Sequence, residues 1–569
     1  MSRLQNSISP KYPTPALLSI SFFPYVYFTF FNVDPLHDGW FTSPAMALAH
    51  GAVPYRDVIT SYGWVSPVVF SLIIKLAGFH LIYFRIIGLV LHALICIIFY
   101  LTLRNFVDSI KASVITSIWL LINLGQLTRD HNSLPAWSFW PNQLIVLISL
   151  LTIYFLVVRR DFRLRTILTL GTLAGLAPWV RAQGLLTLAA ALLVVTQHLW
   201  SIRSRESLRV GIYFFSVSII AVSAPLAFII KNAAFSNFRW QTIDMPRTGE
   251  WVGMPNPITW IFQNIGLSFS FLTVVTACAF LVSRFEITPK VFCGGLSLAL
   301  IILWKMRLAS ESHSANFLYR KLQSFAYLYV NFNYFSFPLL VMFALFILVV
   351  IYKGFRYLSF RPGSPRADFN IYILSVPSIT LIYYNFGHLW GVAPLLVLSL
   401  MHFYSGKKLS LVTLKNFVTI LTTYSIVVSV LALPQIYGRM LAPSYSYNVP
   451  GLEFMRGQDA NQVNDVSRSV ELIRNIPTGE KAFFFCENAL YAVSGNRFIS
   501  DNIFYGTSMT KFELRPEVYR VPRTDTRYLI YCPGSNTIDV GQLPGKWELA
   551  EFSPKTRFSG VQIYKKGEL

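Results

Sequence analysis

The feature that most limits what this chain can fold into is its repeated supply of long apolar runs. Between positions 14 and 434 such runs recur at 15 to 24 residues each, about the length a helix needs to cross a hydrocarbon core of roughly 30 Å. Composition points the same way: 54% of residues are hydrophobic, 13% are charged and the mean hydropathy is +0.51. A soluble globular chain is excluded. The runs predict thirteen spans, at about 14–31, 82–103, 112–127, 140–158, 166–180, 182–200, 210–230, 260–283, 291–309, 333–352, 369–386, 389–405 and 414–434. No unbroken apolar run fills the last 130 residues. The expected fold class is therefore an α-helical integral membrane domain over 1–434, followed by a small extracytoplasmic α/β domain over 435–569.

A net charge of +22 would suit nucleic acid, but its distribution reads as a topology signal. Alternate connections between spans carry Arg3 and Lys11; Arg104 and Lys111; Arg159, Arg160, Arg163 and Arg165; Arg203, Arg205 and Arg209; Arg284 and Lys290; Lys353, Arg356, Arg361 and Arg366; and Lys407, Lys408 and Lys415. The intervening connections are longer but poorer in Lys and Arg for their length. The positive-inside rule assigns the first set to the cytoplasm. The loop of residues 32–81 and everything beyond 435 then lie outside, which suits a multi-pass protein of the cell inner (plasma) membrane with a cytoplasmic N-terminus. No small-residue cleavage site follows the first apolar run, so it reads as a retained anchor. Residues 66–78, "SPVVFSLIIKLAG", are short for a span and carry Lys75, which fits a helix lying at the outer interface.

Five cysteines are present and no CxxC. Cys96, Cys278 and Cys293 fall in spans, where an apolar packing role is expected. Cys486 and Cys532 end the strand-like runs "KAFFFC" and "RYLIYC". If those strands are neighbours, a disulfide is available in an oxidising compartment.

Chemistry-bearing residues gather in the outer connections. The first of these, "NVDPLHDGWFTSPAMALAHGAVPYRDVITSYGW", holds Asp34, Asp38 and Asp57, with His37 beside Asp38, in a chain with 26 acidic residues. The connection 231–260 adds Arg239, Asp244, Arg247 and Glu250 among aromatics; 311–331 adds His313, Arg320 and Lys321; the hairpin "PWVRAQG" adds Arg181. Each has a plain structural reading as well. Asp38 before Gly39 suits the N-cap of a helix running from Trp40 to His50, Asp34 before Pro35 suits a turn, and Asp57 can pair with Arg56. Interfacial Arg and Lys commonly snorkel to headgroups, and Trp40, Trp240 and Trp251 fit an interfacial belt.

The segment "DPLHDGWFTSPAMALAHGAVPYRDVITSYGWVSP" resembles the first extracytoplasmic loop of the GT-C superfamily, polytopic glycosyltransferases that use sugars carried on polyprenyl phosphate. Protein mannosyltransferases and aminoarabinose transferases are among them. The shared pattern is an acidic residue after span one, a short helix ending in Gly, then "PYRD" and "YG…SP", with an Arg opening span two, here Arg85 in "YFRIIG". The likeness is densest over residues 30–105. It implies a catalytic acidic residue at Asp38 and a second acidic group at Asp57. Many members carry Asp-Glu where this chain has His37-Asp38, so a divalent cation, Mg²⁺ or Mn²⁺, held by Asp38 and His37 has thin ligand support.

The resemblance implies an inverting transfer from a polyprenyl-phosphate sugar to a glycan, lipid or protein acceptor, such as a lipid-linked oligosaccharide or surface polysaccharide. A base must reach the acceptor hydroxyl, which assigns Asp38. Cations must meet the leaving phosphate, for which Arg85, Arg181, Arg239, Arg320 and Lys321 are the candidates, with His37 and Asp244 as further substrate contacts. The rival reading is a transporter or flippase for a lipid-linked or anionic substrate. That class is expected to show internal repeats and ionisable groups near mid-span, whereas no clear repeat is found and most charges sit at span ends. An acyltransferase using His37 is a third reading without a second motif.

Overall fold

The computed structural model describes residues 13–31, 33, 35–58, 63–127, 141–181, 184–202, 204–239, 241–242, 370–371, 373–375, 389–405, 433–434, 436–477, 480, 482–485, 503–504, 527–531, 546–552 and 561–567. Its helices are α1 (Pro13–Phe28), α2 (Pro35–Ala49), α3 (Val65–Ala77), α4 (Leu81–Leu103), α5 (Ser109–Leu127), α6 (Pro141–Thr152, continued by a π-helical turn, Ile153–Val158), α7 (Leu164–Val180), α8 (Gly184–Ile202), α9 (Arg205–Lys231), α10 (Phe235–Arg239), α11 (Leu389–Ser405) and α12 (Ala460–Arg474). Three are long and apolar enough to cross a membrane: α4, α6 with its π turn, and α9. Shorter apolar helices, among them α1, α5, α7, α8 and α11, fall on further expected spans. The expected spans 260–283, 291–309 and 333–352 lie outside the described residues, as do most of 369–386 and 414–434.

Burial along α4 shows what kind of solvent its surface expects. Arg85, Gly88, His92, Ile95, Cys96 and Phe99 recur every three or four residues and are buried, while Ile86, Val90, Leu94 and Ile97 are exposed. The inward stripe is the more polar one. In water that arrangement is costly; against hydrocarbon it is the favourable one. α9 repeats the pattern, with Ile212, Ile219, Ile220 and Phe228 outward and Ser207, Gly211 and Ser218 inward.

Small residues set the α7–α9 crossing. Gly171 and Gly175 are four apart, and a Cβ built on Gly175 would lie 2.6 Å from the Ser218 carbonyl oxygen and 2.7 Å from the Ala221 Cβ. The Ser218 hydroxyl donates to the Gly171 carbonyl at 3.0 Å. Between lipid-facing helices such close backbone approach replaces the hydrophobic drive that water supplies elsewhere.

One segment grips both ends of the first loop. A small antiparallel ribbon, β1 (Tyr445–Ser446) with β2 (Arg456–Gly457), lies beside the end of α1. The Arg456 amide donates to the Phe30 carbonyl at 2.7 Å, and the Gln462 side chain donates to the Val33 carbonyl at 3.3 Å. At the other end the Leu81 amide donates to the Gly451 carbonyl at 2.9 Å. His80 meets Glu453 at 3.2 Å. Val33, Met46, Phe70, Ile74, Phe79 and Phe84 then share one buried cluster with Tyr447, Val449, Leu452 and the inner face of α12. That helix starts at Asp459, whose carboxylate caps the Asn461 amide at 2.9 Å.

Beyond α12 the described strands β3 (Ala482–Phe485), β4 (Ile503–Phe504), β5 (Tyr528–Tyr531), β6 (Trp547–Phe552) and β7 (Gln562–Lys566) form one sheet of order β4-β3-β5-β7-β6. β3 is parallel to β4 and β5, and β7 is antiparallel to β5 and β6. Phe485 is in register with Tyr531, so the strands preceding Cys486 and Cys532 are neighbours; both cysteines lie outside the described residues.

Candidate functional site

Helix α2 begins at Pro35, earlier than the loop's composition suggests. Proline presets the first helical φ and lacks an amide the helix would leave unbonded there. Asp38 consequently sits inside the first turn. The N-cap reading, with a helix starting after Gly39, is corrected: Gly39 is a helical residue. Asp34, the residue before Pro35, lies outside the described residues. The Asp38 carbonyl accepts from the Thr42 hydroxyl at 2.8 Å, an ordinary in-helix bond, and His37 occupies the same first turn of the helix.

The Asp38 carboxylate is committed across space. Arg85 Nη2, in the second turn of α4, donates to Asp38 Oδ2 at 2.7 Å, and the two side chains are 3% and 1% exposed. Arg85 is among the largest fully buried side chains of the protein. Burying two charges costs several kcal/mol per ion, and pairing them roughly repays that, so such a pair is a poor way to gain stability. It is, however, an effective way to fix a carboxylate's orientation at one point between the first loop and the second apolar helix.

Asp57 has a different setting. Its carboxylate accepts from the Val53 amide at 2.8 Å and its amide donates to the Val53 carbonyl at 3.0 Å, closing a tight turn. Arg56 holds the same carboxylate at 2.9 Å from an exposed position, and that contact raises the Arg56 pKa. Within this turn Tyr55 is 1% exposed and has φ +64°, a conformation that costs a bulky side chain about 1–2 kcal/mol. The ring packs edge-on to Phe238 at 5.1 Å, and its carbonyl accepts from Gln241 at 3.2 Å. The "PYRD" turn is therefore held in a strained shape by the connection that follows α9.

The end of the loop is stitched to α7. The Trp64 amide donates to the Trp179 carbonyl at 3.1 Å. Gly63, with φ +85°, leaves no room for a Cβ, which would fall 2.3 Å from that same oxygen. Two residues on is Arg181, 6% exposed, which donates through Nη1 to Asn142 Oδ1 in the first turn of α6. Leu144, also at that end of α6, packs against the cluster containing Met46 and Phe84. The Asp38–Arg85 and Arg181–Asn142 pairs thus flank one apolar cluster, which brings Asp38, Arg85 and Arg181 to the same end of the helices. Arg239 closes α10 and is exposed. Asp244, Arg320 and Lys321 lie outside the described residues.

Asn142 and His92 are among the buried polar residues that the sequence did not single out. Asn142 stands in "WPNQ" at the head of an apolar run, and its polarity there is the signal that was available. His92 is at the middle of α4, 2% exposed, stacked on Tyr25 at 4.7 Å and Trp119 at 5.0 Å. A lone histidine in an apolar run gives no such pairing in advance.

A divalent cation does not fit the described residues well. Among them no group of three His, Cys, Asp or Glu side chains is placed to hold a metal ion. The Arg85 guanidinium already occupies Asp38 Oδ2, the oxygen that the carboxylate would offer a metal, and neutralises its charge.

No protein-family model matches the chain, and no curated protein is similar to it. Among solved structures, an oligosaccharyltransferase of Archaeoglobus fulgidus, crystallised tethered by a disulfide bond to an acceptor peptide containing the NVT sequon, aligns with a TM-score of 0.41 and 12% identity. The alignment covers 92% of this chain and 69% of that one. At that level of likeness, what the chain does is argued from its own residues.

Proposed function

We propose that this chain is an integral-membrane glycosyltransferase of the GT-C type. It moves a sugar from a polyprenyl-phosphate donor to an acceptor glycan, lipid or protein at the extracytoplasmic face of the plasma membrane. The observation that carries the reading is the buried Asp38–Arg85 pair, at the two positions that the resemblance of residues 30–105 marks. In this reading the acceptor hydroxyl attacks the anomeric carbon, and a new C–O bond forms as the bond to the phosphate oxygen breaks. The hydroxyl proton passes to Asp38, and the bonding pair leaves on the lipid phosphate; the anomeric centre inverts. Arg85 fixes the carboxylate in orientation. Asp57 shapes the strained turn that completes the site, and Arg181 and Arg239 lie toward the developing phosphate charge. Asp244, Arg320, Lys321 and His37 remain further substrate contacts of the same proposal.

The test is a product analysis. Purified protein in detergent is incubated with a radiolabelled undecaprenyl-phosphate sugar and an extract of envelope glycolipids. The proposal expects release of undecaprenyl phosphate matched by label in a heavier covalent product. Label carried intact across sealed proteoliposomes, with no covalent product, would establish the transporter reading instead.

A further inference from the structure

A second polar pair, separate from Asp38, has the makings of an oxyanion site. α6 is twelve residues long before its π turn, and the first-turn amides of any such helix face outward at its N-terminus, where the helix dipole favours negative charge. Asn142 lies in that first turn and is 3% exposed. Its Oδ1 accepts from Arg181 Nη1. Its Nδ2 is buried with no hydrogen-bond partner. Leaving a buried amide donor unmade costs about 1–3 kcal/mol, so such a group needs a reason. Arg181 is itself 6% exposed and caps the C-terminal end of α7.

We propose that Asn142 Nδ2, the N-terminus of α6 and Arg181 together bind a phosphate group. The convergence is of donors: an amide N–H, a guanidinium and the positive end of a helix dipole, which is the pattern that receives phosphate oxygens in other folds. Orientation also fits, because Arg181 takes the oxygen of the Asn142 amide and thereby reserves the nitrogen as a donor for something else. Taking that phosphate to be the headgroup of the lipid donor rests on the proposed glycosyl transfer; binding of a phosphate as such does not.

Isothermal titration of the full-length protein in detergent tests this with three probes: undecaprenyl phosphate, undecaprenol and inorganic phosphate. The informative variant is Asn142→Asp. Aspartate still offers Arg181 an oxygen, so a purely structural role predicts unchanged binding. A phosphate site predicts at least about tenfold weaker undecaprenyl phosphate binding from a lost donor and an added like charge, with undecaprenol unaffected. If inorganic phosphate weakens by the same factor, the site takes phosphate from either source. If only the lipid weakens, the tail is needed to deliver it. Should Asn142→Asp fail to fold, the near-isosteric Asn142→Leu serves, with about fivefold weakening expected. Wild-type affinity in whichever variant folds overturns the proposal. A protein that shows Asn142-dependent binding yet transfers no sugar would sink the transfer reading and leave this one standing.

Discussion

The two ends of the helical bundle handle charge in opposite ways. At the end carrying residues 32–81, Asp38 meets Arg85 and Arg181 meets Asn142, pairs buried and distant in sequence. At the other end Asp108 meets Lys111 at 2.7 Å and Asp161 meets Arg163 at 2.8 Å, neighbours in sequence with both cations exposed. Exposed local pairs contribute little and are screened by salt. Basic residues at that end are the ones the positive-inside rule reads as a topology signal. Buried pairs between distant segments constrain geometry instead, at the cost of desolvation. The comparison has exceptions at the first end: Arg56–Asp57 is local and half-exposed, and His80–Glu453 is distant in sequence but not buried. Under the proposed function, the difference separates residues that place the chain in a membrane from residues arranged to act on a substrate.

The largest effect expected from breaking this contrast follows loss of Arg85. Arg85→Leu strands a buried carboxylate and should destabilise the protein by about 3–5 kcal/mol, read as a fall in detergent melting temperature by size-exclusion of heated samples. Gly63→Ala comes next. Its Cβ would press into the Trp179 carbonyl at a φ alanine avoids, so a loss of about 1–3 kcal/mol is expected, and a wild-type melting temperature would show that the loop is not stitched to α7. Gly175→Val, which overpacks the α7–α9 crossing, should cost a similar amount.

The smallest effect belongs to the opposite end. Hydrogen bonds from Arg163 hold the Asp161 carboxyl well below its usual range. Its contribution is thus complete above the ordinary carboxylate pKa and is lost only as pH falls through the lowered value. Asp161→Asn should shift the melting temperature by about a degree or less, by the same amount at pH 8 and pH 6. A larger shift, or one that grows between those values, would erase the contrast between the ends.

Among the described residues, helices were legible in the sequence where long apolar runs occur, because lipid leaves a backbone few alternatives. α4 and α9 lie within a residue or a few of where hydropathy puts them. Strand-like runs such as "KAFFFC" and "RYLIYC" also contain strands. The start of α2 was not legible from Asp38-Gly39, since Gly reads locally as a breaker while Pro35 three residues earlier was already setting the helix. The Asp38–Arg85 pair joins residues 47 apart. No local rule supplies such a contact, and only the motif resemblance put both residues in one site. Asn142 and Tyr55 show the limit more sharply. An unfilled donor and a left-handed tyrosine exist only once α6, α7 and the residues after α9 have met.

Asp38→Asn keeps the shape of the side chain and removes its capacity as a base, so it tests the central claim most directly. Transfer of label from an undecaprenyl-phosphate sugar should fall by about 10²–10⁴-fold in protein that still folds, its melting temperature lowered by less than in Arg85→Leu because the amide oxygen still accepts from Arg85. Transfer within a few-fold of wild type by a folded Asp38→Asn protein would contradict the account and reduce the buried pair to a structural tie.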